Sequence, residues 1–264
     1  MKQQKKWWEE KNGFFGDFYI EGDNSLEGYL QEKNQTLTER TTTEVNGIIK
    51  LLNLQRHEKV LDIPCGYGRH TIELAKQKYE VLGCDINSTH LKKAKENTNS
   101  QNVHVNFKKL NMIDLSYKNE FDAVINMFYS FGFFEKDEEN KKVLINFYNS
   151  LKKGGRFLMH TDVNIPRIIN GKYKENEIRN LVDGKKLHII DKYNHKNKRI
   201  EGTWIIKQPN NKDIRRDYSV RVYTKDEFVS MCKEVGFSKI NVYSDWEYSN
   251  YSEDSEDMMV VAIK

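Results

Sequence analysis

Three cysteines in 264 residues, Cys65, Cys84 and Cys232, are too few and too scattered to build a metal or redox site. No C-x-x-C pair occurs, so the chain offers neither a zinc-ligand spacing nor a disulfide framework. Two of the three lie in strand-like apolar runs, where cysteine packs as a small hydrophobe. Long apolar runs are missing as well. None approaches the roughly 18 residues that a membrane-spanning helix requires. The segment Met1-Lys2-Gln3-Gln4-Lys5-Lys6-Trp7-Trp8 has no secretory apolar core, so a cytoplasmic protein is expected. A dominant charge is absent too. The 43 Lys plus Arg and 39 Asp plus Glu leave +4, too mild a balance to imply nucleic acid by itself. With no internal repeat and no long linker, the length fits one domain with an insertion.

What is present centres on Val60-Leu61-Asp62-Ile63-Pro64-Cys65-Gly66-Tyr67-Gly68-Arg69-His70, which reads as a buried strand, a glycine turn and a helix start. Gly66 and Gly68 carry no Cβ, so backbone can come close to a ligand there. The helix behind them aims its free N–H groups back at the turn. Asp62 sets a carboxylate at the strand end, the place where open α/β sheets meet their ligands. The next strand, Tyr79-Glu80-Val81-Leu82-Gly83-Cys84-Asp85-Ile86, ends in Asp85, about 20 residues on, where a second-strand acid meets a ribose. The dinucleotide fingerprint G-x-G-x-x-G is not completed, because His70 and Thr71 stand where its third glycine belongs. That argues against a nicotinamide-dependent dehydrogenase.

Val60 to Gly68 is similar to the first motif of class I S-adenosylmethionine (SAM) dependent methyltransferases, Val-Leu-Asp-x-Gly-Cys-Gly-x-Gly. The segment from Asn126 through Ser130-Phe131-Gly132-Phe133-Phe134 resembles the Asn-x-x-x-Ser-Phe-Gly-Tyr-Phe stretch of a bacterial group that acts on small molecules. One departure is Pro64, which stands where the family most often has its first glycine; proline fixes φ and supplies no N–H. The resemblance implies a Rossmann-like, doubly wound, mostly parallel seven-stranded sheet, with an antiparallel insertion after the fifth strand. It implies SAM as cofactor and S-adenosylhomocysteine as product. It places Asp62 at the cofactor's amino group, directly or through water, and gives Asp85 both ribose hydroxyls. Ile86 then packs on the adenine, Asn111 holds the adenine amine and the Met112 N–H meets the ring. Cys65, Gly66, Gly68 and Asn126 join this cofactor set. Arg40 either reaches the SAM carboxylate or is a solvated surface arginine. The Asn/Asp-Pro-Pro-aromatic motif of enzymes that methylate DNA bases or glutamine side chains is lacking, which argues against those substrates.

The remaining chain is ordered around this centre. Residues 1–36 form an aromatic arm with Trp7, Trp8, Phe14, Phe15, Phe18 and Tyr19, which either folds over the cofactor and walls the substrate pocket or packs on the sheet edge. The methyltransferase domain then spans 37–264. Apolar spacing predicts helices over 37–54, 68–78, 87–98, 137–151 and 225–235, with Asn87 or Ser88 and then Thr224 as caps. Strands are expected at 79–85, 102–109, 121–126, 156–162, 237–243 and 258–263. Lys152-Lys153-Gly154-Gly155-Arg156 reads as a helix stop with a glycine cap. The stretch of about 167–221 reads as an inserted lid of three strands, with 15 Lys plus Arg against 7 Asp plus Glu. That surplus either steers an acidic substrate or is a solvated lysine face. Acids dominate 245–257, which reads as a solvated loop.

Methyl transfer needs alignment and water exclusion more than a dedicated catalytic machine. His160 and Asp162 alternate about Thr161 at a strand end, so both can face one side, and a histidine near neutral pKa can take a proton; a structural role at the sheet end is the alternative. Tyr129 and Tyr19 add hydroxyls, while His70 reads as a packing or capping residue. The expectation is methyl transfer to a nitrogen or oxygen of a small molecule of natural-product, amine or sugar type, by a monomer or homodimer, with no membrane and no nucleic-acid partner. The alternatives are an RNA methyltransferase that uses the basic insertion, and a non-catalytic SAM-binding module.

Overall fold

The computed structural model describes residues 6–10, 13–23 and 35–264; the rest of the predicted arm lies outside the described residues. Inside the arm is one short helix, α1 (Asp17–Asp23). Helix α2 (Leu37–Leu51) starts at a capping box in which Thr36 and Glu39 satisfy each other's backbone N–H groups. It stops earlier than the periodicity predicts, because Asn53 turns to positive φ and redirects the chain. The central unit follows as β1 (Lys59–Asp62), α3 (Arg69–Lys76), β2 (Glu80–Asp85), α4 (Ser88–Ser100), β3 (Asn106–Lys109), β4 (Phe121–Asn126), α5 (Asp137–Ser150) and β5 (Leu151–Thr161). After α6 (Ile165–Ile169) come β6 (Asn176–Asn180), β7 (Lys186–Asn194), β8 (Arg199–Lys207) and β9 (Ile214–Arg221). The chain ends with α7 (Lys225–Val235), β10 (Ser238–Tyr243) and β11 (Met258–Ile263).

Seven strands form one sheet in the order β10-β11-β5-β4-β1-β2-β3. β1, β2, β3, β4 and β5 run parallel, and β11 is antiparallel to both of its neighbours. Alternation along β1 assigns the two faces. Val60 packs with Val45, Ile48 and Leu74 under α2 and α3, whereas Leu61 packs with Phe147 and Phe228 under α5 and α7.

Three further features differ from the sequence expectation. β3 begins at Asn106 rather than near 102, because the Val103 N–H closes α4 on the Thr98 carbonyl instead of entering a ladder. Helix α5 has no glycine cap. Leu151 is already extended and pairs with Phe121, so the Lys152-Lys153-Gly154-Gly155 stretch is an irregular entry into β5. The insertion is a four-stranded antiparallel sheet, β6-β7-β8-β9, and not three strands. Its fourth member, Asn-Glu-Ile-Arg-Asn, carries no apolar alternation and owes its conformation to pairing with β7.

This second sheet is fastened to the first at Gly132. The Arg221 N–H donates to the Gly132 carbonyl at 2.9 Å. Gly132 sits at φ +104, and a Cβ there would stand 2.1 Å from the Arg221 carbonyl oxygen. The arm fills the seam between the sheets. Phe14 and Phe18 pack with Leu187, Trp204 and Ile206. The Trp7 and Trp8 indoles donate to the Ser219 and Phe133 carbonyls.

Candidate active site

The glycine turn after β1 is held from the neighbouring strand. The Cys65 N–H donates to the Cys84 carbonyl at 2.8 Å, and the Gly66 N–H donates to Asp85 Oδ2 at 2.9 Å. The other Asp85 oxygen accepts the Asn87 N–H at 2.7 Å, where Asn87 caps α4. Burial pushes the Asp85 carboxyl above its ordinary range, against the pull of His90 and these backbone donors. Gly66 adopts φ +54 with nothing within 4 Å of where a Cβ would be, so the turn opens onto free space.

That space is a cavity of about 770 Å³ running from the turn to the inserted sheet. Of the predicted cofactor residues, Arg40, Cys65, Gly66, Asp85, Ile86, Asn111 and Met112 line it. Asp62, Gly68 and Asn126 lie behind its surface. Gly68 begins α3 in the left-handed region. Asp62 Oδ2 accepts the Thr71 hydroxyl, and burial pushes its carboxyl up to about 7. Asn126 Nδ2 donates to the Ile63 carbonyl at 2.8 Å. Asp62 Oδ1 and Asn126 Oδ1 are buried acceptors without a partner.

A third buried carboxylate, Glu44 on α2, escaped the sequence reading. Arg40, Arg69 and His70 all converge on it. Burial works to raise its pKa, but the His70 hydrogen bond and the arginine charges hold it well below the carboxylate range. Burial, joined by the Arg69 charge, pushes His70 down to about 4, so a neutral imidazole donates to Glu44. The signal was available: Thr41, Glu44, Val45, Ile48 and Leu51 share the buried stripe of α2, and a charged residue there needs partners. Phe128 covers this cluster. Its ring lies 4.6 Å from the guanidinium carbons of both Arg40 and Arg69, and stacks on His70. Phe128 and Tyr129 both have positive φ, which is uncommon for bulky side chains.

At the other end, Tyr129, His160 and Asp162 line the cavity together. His160 is 2% exposed, with Nε2 3.5 Å from the Asp257 carboxylate and Nδ1 unpartnered. Its ring lies between Phe128 and Trp246. The acidic 245–257 loop is therefore more than a solvated connection, because Asp245, Trp246, Glu256 and Asp257 reach the cavity wall. The arm contributes Trp7, Trp8, Phe14, Phe15 and Tyr19, and the inserted sheet contributes Trp204 and Tyr218. All 4 tryptophans of the chain thus face one space. The arm is also tied to the nucleotide-type turns, since the Gly16 N–H donates to His90 Nε2 at 3.0 Å and Tyr67 donates to Asp23.

These groups fit SAM, the cofactor implied by the resemblance. A carboxylate at the tip of β2 suits a ribose diol. A positive-φ glycine with empty space beside it admits a close ligand, and the two orphaned acceptors beside the turn suit an amino group. Among the described residues no cluster of metal-ligating side chains occurs, and no helix is long and apolar enough to cross a membrane.

Residues 60–155 match the family described as a methyltransferase domain. A protein of Geobacillus sp. (strain WCH70), described as a candidate methyltransferase, is 25% identical over 82% of this chain and 88% of its own length. The glycine/sarcosine N-methyltransferase of Aphanothece halophytica is 28% identical over 51% of this chain, which spans 52% of that relative. The SAM-bound structure of CalS10, an amino pentose methyltransferase from Micromonospora echinaspora, superposes with a TM-score of 0.65 at 14% identity, over 88% of this chain and 93% of that one. Sheet order, glycine turn and the match over residues 60–155 together give the chain a methyltransferase domain on the fold of the class I SAM-dependent enzymes.

Proposed function

We propose that the protein methylates a nitrogen or oxygen of a small molecule bound in the same cavity as the cofactor. When bound, SAM supplies an electrophilic methyl group on a sulfonium. In this reading Asp85 takes the ribose hydroxyls, Ile86 and Met112 enclose the adenine and Asn111 meets its amine. Gly66 lets the backbone approach, Arg40 takes the carboxylate, and Asp62 and Asn126 serve the amino group from behind the turn. Tyr129, His160 and Asp162 orient the acceptor and handle its proton. The arm and the inserted sheet exclude water, which strengthens every polar contact inside.

One observation carries this reading: a single cavity of about 770 Å³ joins the glycine turn to an aromatic-walled chamber. Pockets of this size hold a small ligand with a few placed polar groups. The glycine/sarcosine relative and the amino pentose enzyme act, by name, on small amines. Many lysines of the insertion, such as Lys186, Lys192, Lys196, Lys207 and Lys212, are exposed and do not line this space, which weighs against a polynucleotide acceptor.

The test is S-adenosylhomocysteine release by the purified chain with SAM and a panel of small amines, alcohols and sugars, beside bulk RNA. Turnover confined to members of the small-molecule panel supports the reading. Turnover with RNA alone, or tight SAM binding without turnover on any member, overturns it.

A further inference from the structure

Asp191, in the middle of β7, is buried yet lines the cavity. Tyr173 donates its hydroxyl to Asp191 Oδ2 at 2.9 Å, and Tyr218 donates to Oδ1. A phenol has one proton, so each of these oxygens is left to the cavity as an acceptor. Tyr129, packed in the same cluster, donates its hydroxyl to the Val220 carbonyl at 3.4 Å and is likewise left as an acceptor. On this wall Asp191 and the three phenols therefore present acceptors to the cavity.

Its charge is unbalanced as well. Of the cations at this end of the cavity, Arg167 pairs with Glu256 at 3.5 Å, Lys172 with Asp254 at 2.6 Å and Arg179 with Glu177 at 2.8 Å, and Lys174 is engaged as well. Among the described residues no lysine or arginine pairs with Asp191, and Asp162 lies within electrostatic reach on the same side. Two phenols stabilise a buried carboxylate but do not neutralise it, and a buried charge without a counter-charge is costly.

Resting on the small-molecule reading above, we propose that the acceptor is an amine, recognised through its N–H groups by Asp191 with Tyr173, Tyr218 and Tyr129 around it. An alcohol brings one donor and no charge to this wall. A protonated amine brings up to three donors and the missing positive charge, and aromatic faces such as Tyr218 suit a cation further. Asp191 is then the residue that separates amine from hydroxyl acceptors.

The test uses the full chain loaded with S-adenosylhomocysteine and reads binding by calorimetry. Three matched pairs serve as probes: benzylamine and benzyl alcohol, glucosamine and glucose, ethanolamine and ethylene glycol. The amine of at least one pair binds about tenfold or more tighter than its alcohol, and Asp191→Asn abolishes the difference. If Asp191→Asn does not fold, the paired Tyr173→Phe and Tyr218→Phe variant reduces the preference in its place. Equal or absent binding of both members in all three pairs, or a preference that survives Asp191→Asn, overturns the proposal. Failure of S-adenosylhomocysteine itself to bind would instead remove the cofactor reading, so the two failures are distinguishable.

Discussion

Asp85 and Gly66 are joined by a 2.9 Å hydrogen bond from the glycine N–H to the carboxylate, so the tip of β2 holds the turn that follows β1. The carboxylate expected to take the ribose is thus also the brace of the turn. Asp85→Asn keeps an oxygen for one backbone donor but loses the charge. It should raise the dissociation constant for S-adenosylhomocysteine by about 10- to 100-fold, measured by calorimetry.

Gly66→Ala separates binding from folding. Left-handed backbone costs a non-glycine residue about 1 kcal/mol, and the added methyl meets no protein atom. Thermal unfolding should shift by only a few degrees, while cofactor affinity falls at least tenfold because the methyl occupies the ligand's space.

Gly132→Ala should do the reverse. Its Cβ would collide with the Arg221 carbonyl where the two sheets are fastened, at a φ of +104. A loss of about 2 to 4 kcal/mol is expected in denaturant unfolding, from strain plus the broken Arg221 contact.

Glu44→Ala removes the one carboxylate shared by Arg40, Arg69 and His70. Removing this anion from between two partly buried guanidinium groups should cost about 3 kcal/mol. Glu44→Gln, which keeps an acceptor for His70, should lose less, and urea melts of the two variants check the order.

Acid should withdraw the stabilising contribution of His70 in a defined window. Burial and the Arg69 charge push His70 down to about 4, against about 6.5 in an unfolded chain. Between those values the unfolded chain binds the extra proton at this residue, so the His70 contribution is complete above about pH 6.5 and drains as pH falls toward 4. His90, lowered chiefly by burial, acts in the same sense. Glu44 adds its own loss only below its ordinary 4.5. Asp62, pushed up to about 7 by burial, and Asp85, raised as well, act in the opposite sense over the same window. The His70 share is therefore read as a difference: in urea melts from pH 7.5 to 4.5 the wild type should lose stability relative to His70→Gln as the pH falls.

The sequence made the centre of this fold legible because each signal was local. Alternation along β1 and β2, the two glycines and the Thr224 cap of α7 each depend on neighbours a few residues away. β6 was hidden because Ile178, its one apolar residue, is 63% exposed and its pairing with β7 is non-local. Glu44 showed only as a charge on the buried stripe of α2; its role stayed hidden because two of its three partners, Arg69 and His70, arrive from α3. Trp246 was hidden among acids, although its ring packs on His160 and against Gly47. Asp191 had no local signal, since Tyr173 and Tyr218 reach it from 18 and 27 positions away.

The convergence of every indole on one chamber gives the protein a built-in optical gauge. With Trp7, Trp8, Trp204 and Trp246 all on its walls, native emission has no distant background to dilute it. Filling either end displaces water from, or lays a ring beside, at least one of these fluorophores. Titrations of donor, spent donor and candidate acceptors can be followed on unlabelled protein, and changing the indoles one at a time to phenylalanine would map which end each compound occupies.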